Sequence, residues 1–277
     1  MNGLRNLGNT CYLNAGLQLL INNNDLCYNI YNIKSNDKFI VKLQEFIRLY
    51  HTSNNGILVP KFIKTEVGKS NLIFNGYGQQ DSEEFINIFL NIINEKIGND
   101  IIDNIFNIKI KTTIKCKVLS CLDKKFNYEK SVKLIFELND KTKDFDDCYR
   151  LFKMSEKLDN ENKNFCEKCE KKTIVSRRAE VEEWPNNLIV VLKRYQIRYS
   201  RYVKNTDPII VPLTWRKGYV LTGIVYHSGN LNGGHYVYIG FKNNIWYLYN
   251  DDTITQINKE TLEEFKNNGY IYYFKKL

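Results

Sequence analysis

The spacing of apolar residues changes once along this chain, and that change limits what it can fold into. Up to about residue 105 apolar positions recur at helical intervals. Leu13, Leu17, Leu20 and Ile21 fall at i, i+4, i+7 and i+8, and Phe85, Ile88, Phe89, Ile92 and Ile93 share one face of a second helix. Asp81 and Glu84 form a capping box at the start of that second helix. From about Phe106 the texture alternates and fills with Ile, Thr, Val and Tyr, as strands do. A mixed stretch over 141–164 carries a short helix around Cys148–Phe152, and the last ninety or so residues divide into strands at Gly/Asn turns. Of these, "NNLIVVLKRYQI" is a buried strand and "YIYYFKKL" closes the sheet. Helices first and strands later predict an α+β protein and exclude an alternating βαβ fold.

Composition narrows the functional classes. The chain has 277 residues, 43% of them apolar, enough for a substantial core, and 19 Tyr and 15 Phe set it apart from disordered sequences. The net charge of +9 comes from basic residues scattered among acids. It lacks the dense single-sign runs with interleaved aromatics that mark a nucleic-acid groove, so a basic soluble surface is expected and no nucleic-acid partner. The N-terminus has no signal pattern and no apolar run is long enough to span a bilayer, so no membrane association is expected either. An intracellular setting, cytoplasmic or nuclear, keeps thiols reduced. The seven cysteines are then a nucleophile, metal ligands or buried thiols rather than disulfides.

Cys11 stands where the polar turn "NLGNT" becomes an apolar helix, with Asn9 or Thr10 positioned to cap it. Unpaired N–H groups and the helix dipole favour negative charge there, and so a reactive thiolate. Position alone does not separate that reading from a buried core thiol. A nucleophile needs a base, and there are three histidines. His51 reads as a surface helix end and His227 as part of a turn. His235 follows Gly233 and Gly234 directly into a strand, which can hold an imidazole at the rim of a cleft with another chain close by. Asn250, Asp251 and Asp252, fifteen or more residues on, offer an acceptor for its second N–H, or simply a good turn.

These residues carry a resemblance. "GLRNLGNTCYLNAGLQLL" resembles the cysteine box of the ubiquitin-specific proteases, and "YGQQDSEEFINIFL" their glutamine box. "CEKC" with "WPNNLIVVLKRY" is similar to their second zinc-knuckle half and following strand. "YHSGNLNGGHYVYI" with "WYLYNDDTIT" resembles their histidine box. The resemblance runs in order from Gly3 to about Gln256, and such motifs in register are specific where each alone is not. It implies a papain-like fold with thumb (about 1–105), fingers (about 106–183) and palm (about 184–277), in one near-minimal catalytic domain.

It also implies roles. Cys11 matches the nucleophile, His235 the general base and acid, Asn250 the third member and Asn6 the oxyanion donor. Asn250 carries no charge, which gives Asp251 weight as a second polar partner of the imidazole. Asp81 and Glu84 match acidic residues that hold ubiquitin's arginine-bearing tail, although the capping box explains them too. Gly233, Gly234 and Tyr236 suit a wall of the tunnel for its terminal glycines. Cys116, Cys121, Cys166 and Cys169 match a structural zinc site, with four residues rather than two between the first pair. The bland alternative is four packed thiols. Catalysis itself would need no cofactor.

The expected function is therefore a monomeric deubiquitinating thiol protease acting on ubiquitin and ubiquitinated proteins. A non-catalytic ubiquitin-binding scaffold would lack the Cys or His that this chain retains. The same chemistry on another ubiquitin-like modifier fits the motifs equally. An unrelated zinc-binding interaction protein leaves "NTCY" and "GGHYV" without purpose.

Overall fold

The computed structural model describes residues 1–277 except 54, 99, 122, 199–200 and 231–232. Helices occupy the first part: Cys11–Ile21, Asn24–Asn32, Lys38–Thr52, Lys61–Ser70, Ser82–Ile97 and Ile101–Phe106. Beyond them lie two main sheets. The larger has eight strands, running Thr253–Gln256, Ile245–Asn250, Gly233–Lys242, Tyr219–Asn230, Ile271–Lys276, Asn187–Leu192 and Leu134–Phe136, with Thr214–Trp215 beside Tyr219–Asn230. The smaller has four antiparallel strands, in the order Lys124–Ser131, Ile108–Cys116, Val175–Glu183 and Glu156–Leu158.

The centre of the large sheet is buried on both faces, which explains its continuous apolar runs. Successive strand residues face opposite sides. Ile189, Val191, Ile271 and Tyr273 join the core beneath the helices. Leu188, Val190, Leu192, Tyr272 and Phe274 join a second core with Phe136, Phe145 and Trp215 on the other face. Among the described residues no helix is long and apolar enough to cross a membrane.

The structure corrects four sequence expectations. The last strand does not close the sheet but lies inside it, between Tyr219–Asn230 and Asn187–Leu192. All four of Ile271–Phe274 are buried, and an edge strand could not bury both faces and both ladders. The span 106–183 does not stay with the small sheet. Leu134–Phe136 crosses to pair in parallel with Asn187–Leu192, and the helix Phe145–Phe152 packs its Phe145 against Phe136 and Trp215. Cys11–Ile21 is no one-faced helix. All eleven residues are buried, and its polar members have partners: the Gln18 amide donates to the Asn2 carbonyl and accepts from the Tyr50 hydroxyl. His227 is not in a turn but within the strand Tyr219–Asn230, 8% exposed.

Candidate active site

The central helix delivers Cys11 as its first residue, 3% exposed. The preceding turn works differently from a side-chain cap. Thr10 makes no cap bond; its hydroxyl accepts from the Leu7 N–H at 2.8 Å. Asn6 organises the turn instead, its Oδ1 accepting from the N–H groups of Gly8 (3.0 Å) and Thr10 (3.1 Å). The first intrahelical bond runs from the Asn14 N–H to the Thr10 carbonyl, so the N–H groups of Cys11, Tyr12 and Leu13 have no acceptor within the helix.

His235 lies on the strand Gly233–Lys242, and Asn250 ends the neighbouring strand Ile245–Asn250. His235 Nε2 sits 2.6 Å from Asn250 Oδ1. The amide oxygen can only accept, so Nε2 carries the proton and Nδ1 is left for the Cys11 thiol. Hydrogen bonding to the Cys11 side chain is the chief cause that raises the His235 imidazole to about 9; the Asn250 bond adds to it against partial burial.

Asp251 is not a hydrogen-bond partner of the imidazole, although its charge helps to hold the proton there. It follows Asn250 into a two-residue turn with φ of 51°, and the reversal swings its carboxylate to the other side. There Oδ2 accepts from Asn6 Nδ2 at 2.8 Å and Oδ1 from Asn14 Nδ2 at 2.7 Å. Its carbonyl accepts from the Leu4 N–H at 2.8 Å, so the chain's first residues lie on this turn. One Nδ2–H of Asn6 is occupied, and the amide has a second.

A groove of about 530 Å³ is lined by Gln79, Gln80, Asp81, Glu84, Tyr195, His227, Asn230, Gly233 and Tyr236, the last two close to His235 in the same strand. Asp81 is a helix cap: its Oδ1 accepts from the N–H groups of Glu83 (2.7 Å) and Glu84 (3.2 Å). The Tyr236 and Tyr270 hydroxyls also donate to it, at 3.1 and 3.2 Å. Burial raises its carboxyl above the usual range, and burial and Asp81 do the same for Glu84. Gln79, which sequence reasoning passed over, spans the cleft with both amide groups: Nε2 donates to the Gly234 carbonyl and Oε1 accepts from its N–H, each at 2.9 Å. Gly234 has no room for a side chain. A Cβ there would come within 2.1 Å of the Ser228 carbonyl oxygen and 2.3 Å of His227 Nε2.

The family model "Ubiquitin carboxyl-terminal hydrolase" matches residues 2–274. The chain belongs to the ubiquitin carboxyl-terminal hydrolase family. It is a deubiquitinating hydrolase of the cysteine-protease type. It is 28% identical to ubiquitin carboxyl-terminal hydrolase 12 of Salmo salar, across 99% of this chain and 89% of that relative. Its fold is similar to Ubp8 in the SAGA DUB module with Sgf11, Sus1 and Sgf73 bound to monoubiquitin, with a TM-score of 0.84 at 24% identity over 99% of this chain and 69% of the other. A second structure of that module, bound to ubiquitin aldehyde, gives 0.80 at 23% identity over the same shares.

The family's second feature in this chain is a cluster of four cysteines at the far end of the small sheet. Cys116 ends the strand Ile108–Cys116, Cys121 follows in a turn closed by its N–H on the Val118 carbonyl, and Cys166 and Cys169 flank a short 3-10 turn. All four Sγ atoms lie within 4.8 Å of one another, with Cys121–Cys166 at 3.6 Å and Cys116–Cys169 at 4.0 Å. Tetrahedral zinc with Zn–S bonds of about 2.3 Å sets sulfurs roughly 3.8 Å apart, so the residues fit a structural zinc despite the wider first spacing. The Thr173 hydroxyl, 3.3 Å from Cys116 Sγ, brings that thiol down to about 7. Hydrogen bonding with Cys121, and burial, push Cys169 up to about 12. Zinc would supply the charge that lets all four ionise. We expect metal analysis to find about one zinc per chain, and Cys166→Ser to lose it with a lower melting temperature. Unchanged zinc in that variant would rule out this ligand set. Cys27 and Cys148 are elsewhere, buried and pushed up to about 12 by burial, as inert core thiols are.

Proposed function

We propose that Cys11, His235 and Asn250 cleave the bond after ubiquitin's C-terminal glycine, in ubiquitinated proteins and in ubiquitin chains. The tail enters along the groove between Glu84 and Asp81 on one side and Tyr236, Gly233 and Gly234 on the other. Its basic side chains meet the exposed part of Glu84; Asp81 acts chiefly as the cap that orients the helix start. The Cys11 sulfur, its proton passed to His235, attacks the glycine carbonyl carbon, and the electrons move onto the carbonyl oxygen. The free Nδ2–H of Asn6 and the unpaired N–H groups of the helix start stabilise that oxyanion. His235 then protonates the departing amine and the C–N bond breaks, leaving a thioester on Cys11. Water attacks the thioester as His235 takes its proton, the C–S bond breaks to free the Cys11 sulfur, and ubiquitin leaves with a free carboxylate.

In this reading the helical part is the thumb, the four-stranded sheet the fingers and the eight-stranded sheet the palm. Every group named comes from one chain, so a monomer suffices, working on cytoplasmic or nuclear substrates. The observation that supports the reading most is the 2.6 Å His235–Asn250 bond, which sets the imidazole's tautomer for the thiol. The test is reaction with ubiquitin bearing a C-terminal electrophile, beside other ubiquitin-like modifiers bearing the same group. We expect a stoichiometric adduct with ubiquitin, prevented by prior alkylation. No ubiquitin adduct would overturn the proposal, and an adduct with another modifier alone would reassign the substrate.

A further inference from the structure

One wall of the groove is attached by contacts that this chemistry does not use. The strands Tyr195–Arg198 and Arg201–Lys204 form a two-stranded hairpin separate from both main sheets. An isolated hairpin of this kind is marginal in water. Its outer positions do not anchor it, because Ile197 and Tyr202 are 65% and 70% exposed. Its base does. Tyr195 and Lys204 are register partners, and both reach the same atom, His227 Nδ1, at 2.7 Å from the Tyr195 hydroxyl and 3.0 Å from Lys204 Nζ. Lys204 Nζ also donates to the carbonyls of His227 (2.8 Å) and Gly229 (2.9 Å). The three ammonium N–H groups of Lys204 thus meet three acceptors, one of which the Tyr195 hydroxyl shares.

The chemistry of this knot is one-directional. An ammonium group has no lone pair, so the Nδ1 it approaches is the bare nitrogen and the His227 proton sits on Nε2. The ring lies over Tyr236, centroids 4.4 Å apart, and its Nε2 edge lies against Gly234. Burial first, then Lys204, bring the His227 imidazole down to about 4. It is neutral at physiological pH and serves as a fixed acceptor, not an acid or base. The Gly229 carbonyl belongs to the strand Tyr219–Asn230, in which Gly229 is the register partner of Gly234, so Lys204 ties the hairpin to the strand beside Gly234.

We propose that Lys204, acting through His227, is a positioning residue for substrate, a latch that fixes the Tyr195–Lys204 hairpin as one wall of the tail groove. This rests on the reading of that groove as the path of ubiquitin's tail. Substrate binding to a wall already in place avoids the ordering cost that a loose hairpin would levy at each encounter. The latch therefore acts on binding and leaves the Cys11–His235–Asn250 geometry alone.

The test is Lys204→Met, which keeps the aliphatic stem and removes the donors, beside Lys204→Arg, which keeps donors and charge. With a ubiquitin C-terminal fluorogenic amide, Lys204→Met should raise KM about tenfold while kcat stays within roughly twofold, and Lys204→Arg should recover most of the loss. Hydrogen exchange over 195–204 and 227–230 should accelerate in Lys204→Met, while the helix Cys11–Ile21 exchanges as before. Unchanged KM, or a fall in kcat with KM constant, overturns the proposal. Should the wild-type protein turn over no ubiquitin substrate, the reading of the groove fails. The exchange data then decide the latch alone: faster hairpin exchange supports it, and unchanged exchange overturns it.

Discussion

Cys11→Ala should abolish turnover of a ubiquitin C-terminal amide, and His235→Ala should lower kcat by about 10²- to 10⁴-fold with little change in KM. Neither side chain holds the tail in the groove, so binding should survive both changes. The pH dependence follows from the same contacts. Hydrogen bonding with the Cys11 side chain and Asn250 holds the proton on His235 to about pH 9. A histidine raised above its unfolded value, about 6.5, contributes stability fully below that pH. The contribution is lost as pH rises through about 9. The alkaline limb of kcat/KM should therefore fall near pH 9. Asn250→Ala deletes one of the bonds that raise the imidazole, so it should move that limb to lower pH as well as reduce kcat. A limb that stays in place, or moves to higher pH, would mean that Asn250 does not act on the His235 proton.

The order of elements was largely legible because one periodicity holds over long spans on each side of about residue 105, although the helix Lys259–Asn268 stands where only strands were expected. Phe85, Phe89, Ile92 and Ile93 recur at helical spacing and form the buried face of Ser82–Ile97. The run Leu188–Leu192 is wholly apolar because its strand is covered on both faces. What periodicity could not give was the order of strands in space. Ile271–Phe274 lies next to strands more than forty residues before it, a pairing that depends on which aromatic residues share a core. Within the site, Cys11, His235 and Asn250 could be picked out because each carries distinctive chemistry beside a turn. Gln79, His227 and Lys204 could not, since their contacts join segments 23 to 155 residues apart. One signal was available and passed over. Asn14 and Gln18 are polar residues in an otherwise apolar helix, and a buried amide requires a partner. Following Asn14 would have led to Asp251.

Asp251→Ala should lower kcat by about 10²- to 10³-fold, chiefly through Asn6, with its charge on the imidazole the smaller effect. Its carboxylate accepts from Asn6 Nδ2 at 2.8 Å while Asn6 Oδ1 accepts from the turn before Cys11, so the Asn6 amide is fixed at both ends. Only a fixed amide aims its remaining N–H where the oxyanion forms; a mobile one must be ordered during the reaction and contributes less. If this is how Asp251 acts, three results go together. Asn6→Ala reduces kcat by a similar factor. The double variant Asn6→Ala with Asp251→Ala is little worse than Asn6→Ala alone, since both changes remove the same donor. Alkylation of Cys11 by iodoacetamide, which builds no oxyanion, proceeds at a nearly unchanged rate in Asp251→Ala because the 2.6 Å His235–Asn250 bond is intact. Alkylation slowed as much as turnover would place the carboxylate's effect on the thiol–imidazole pair, and full additivity in the double variant would separate Asp251 from Asn6.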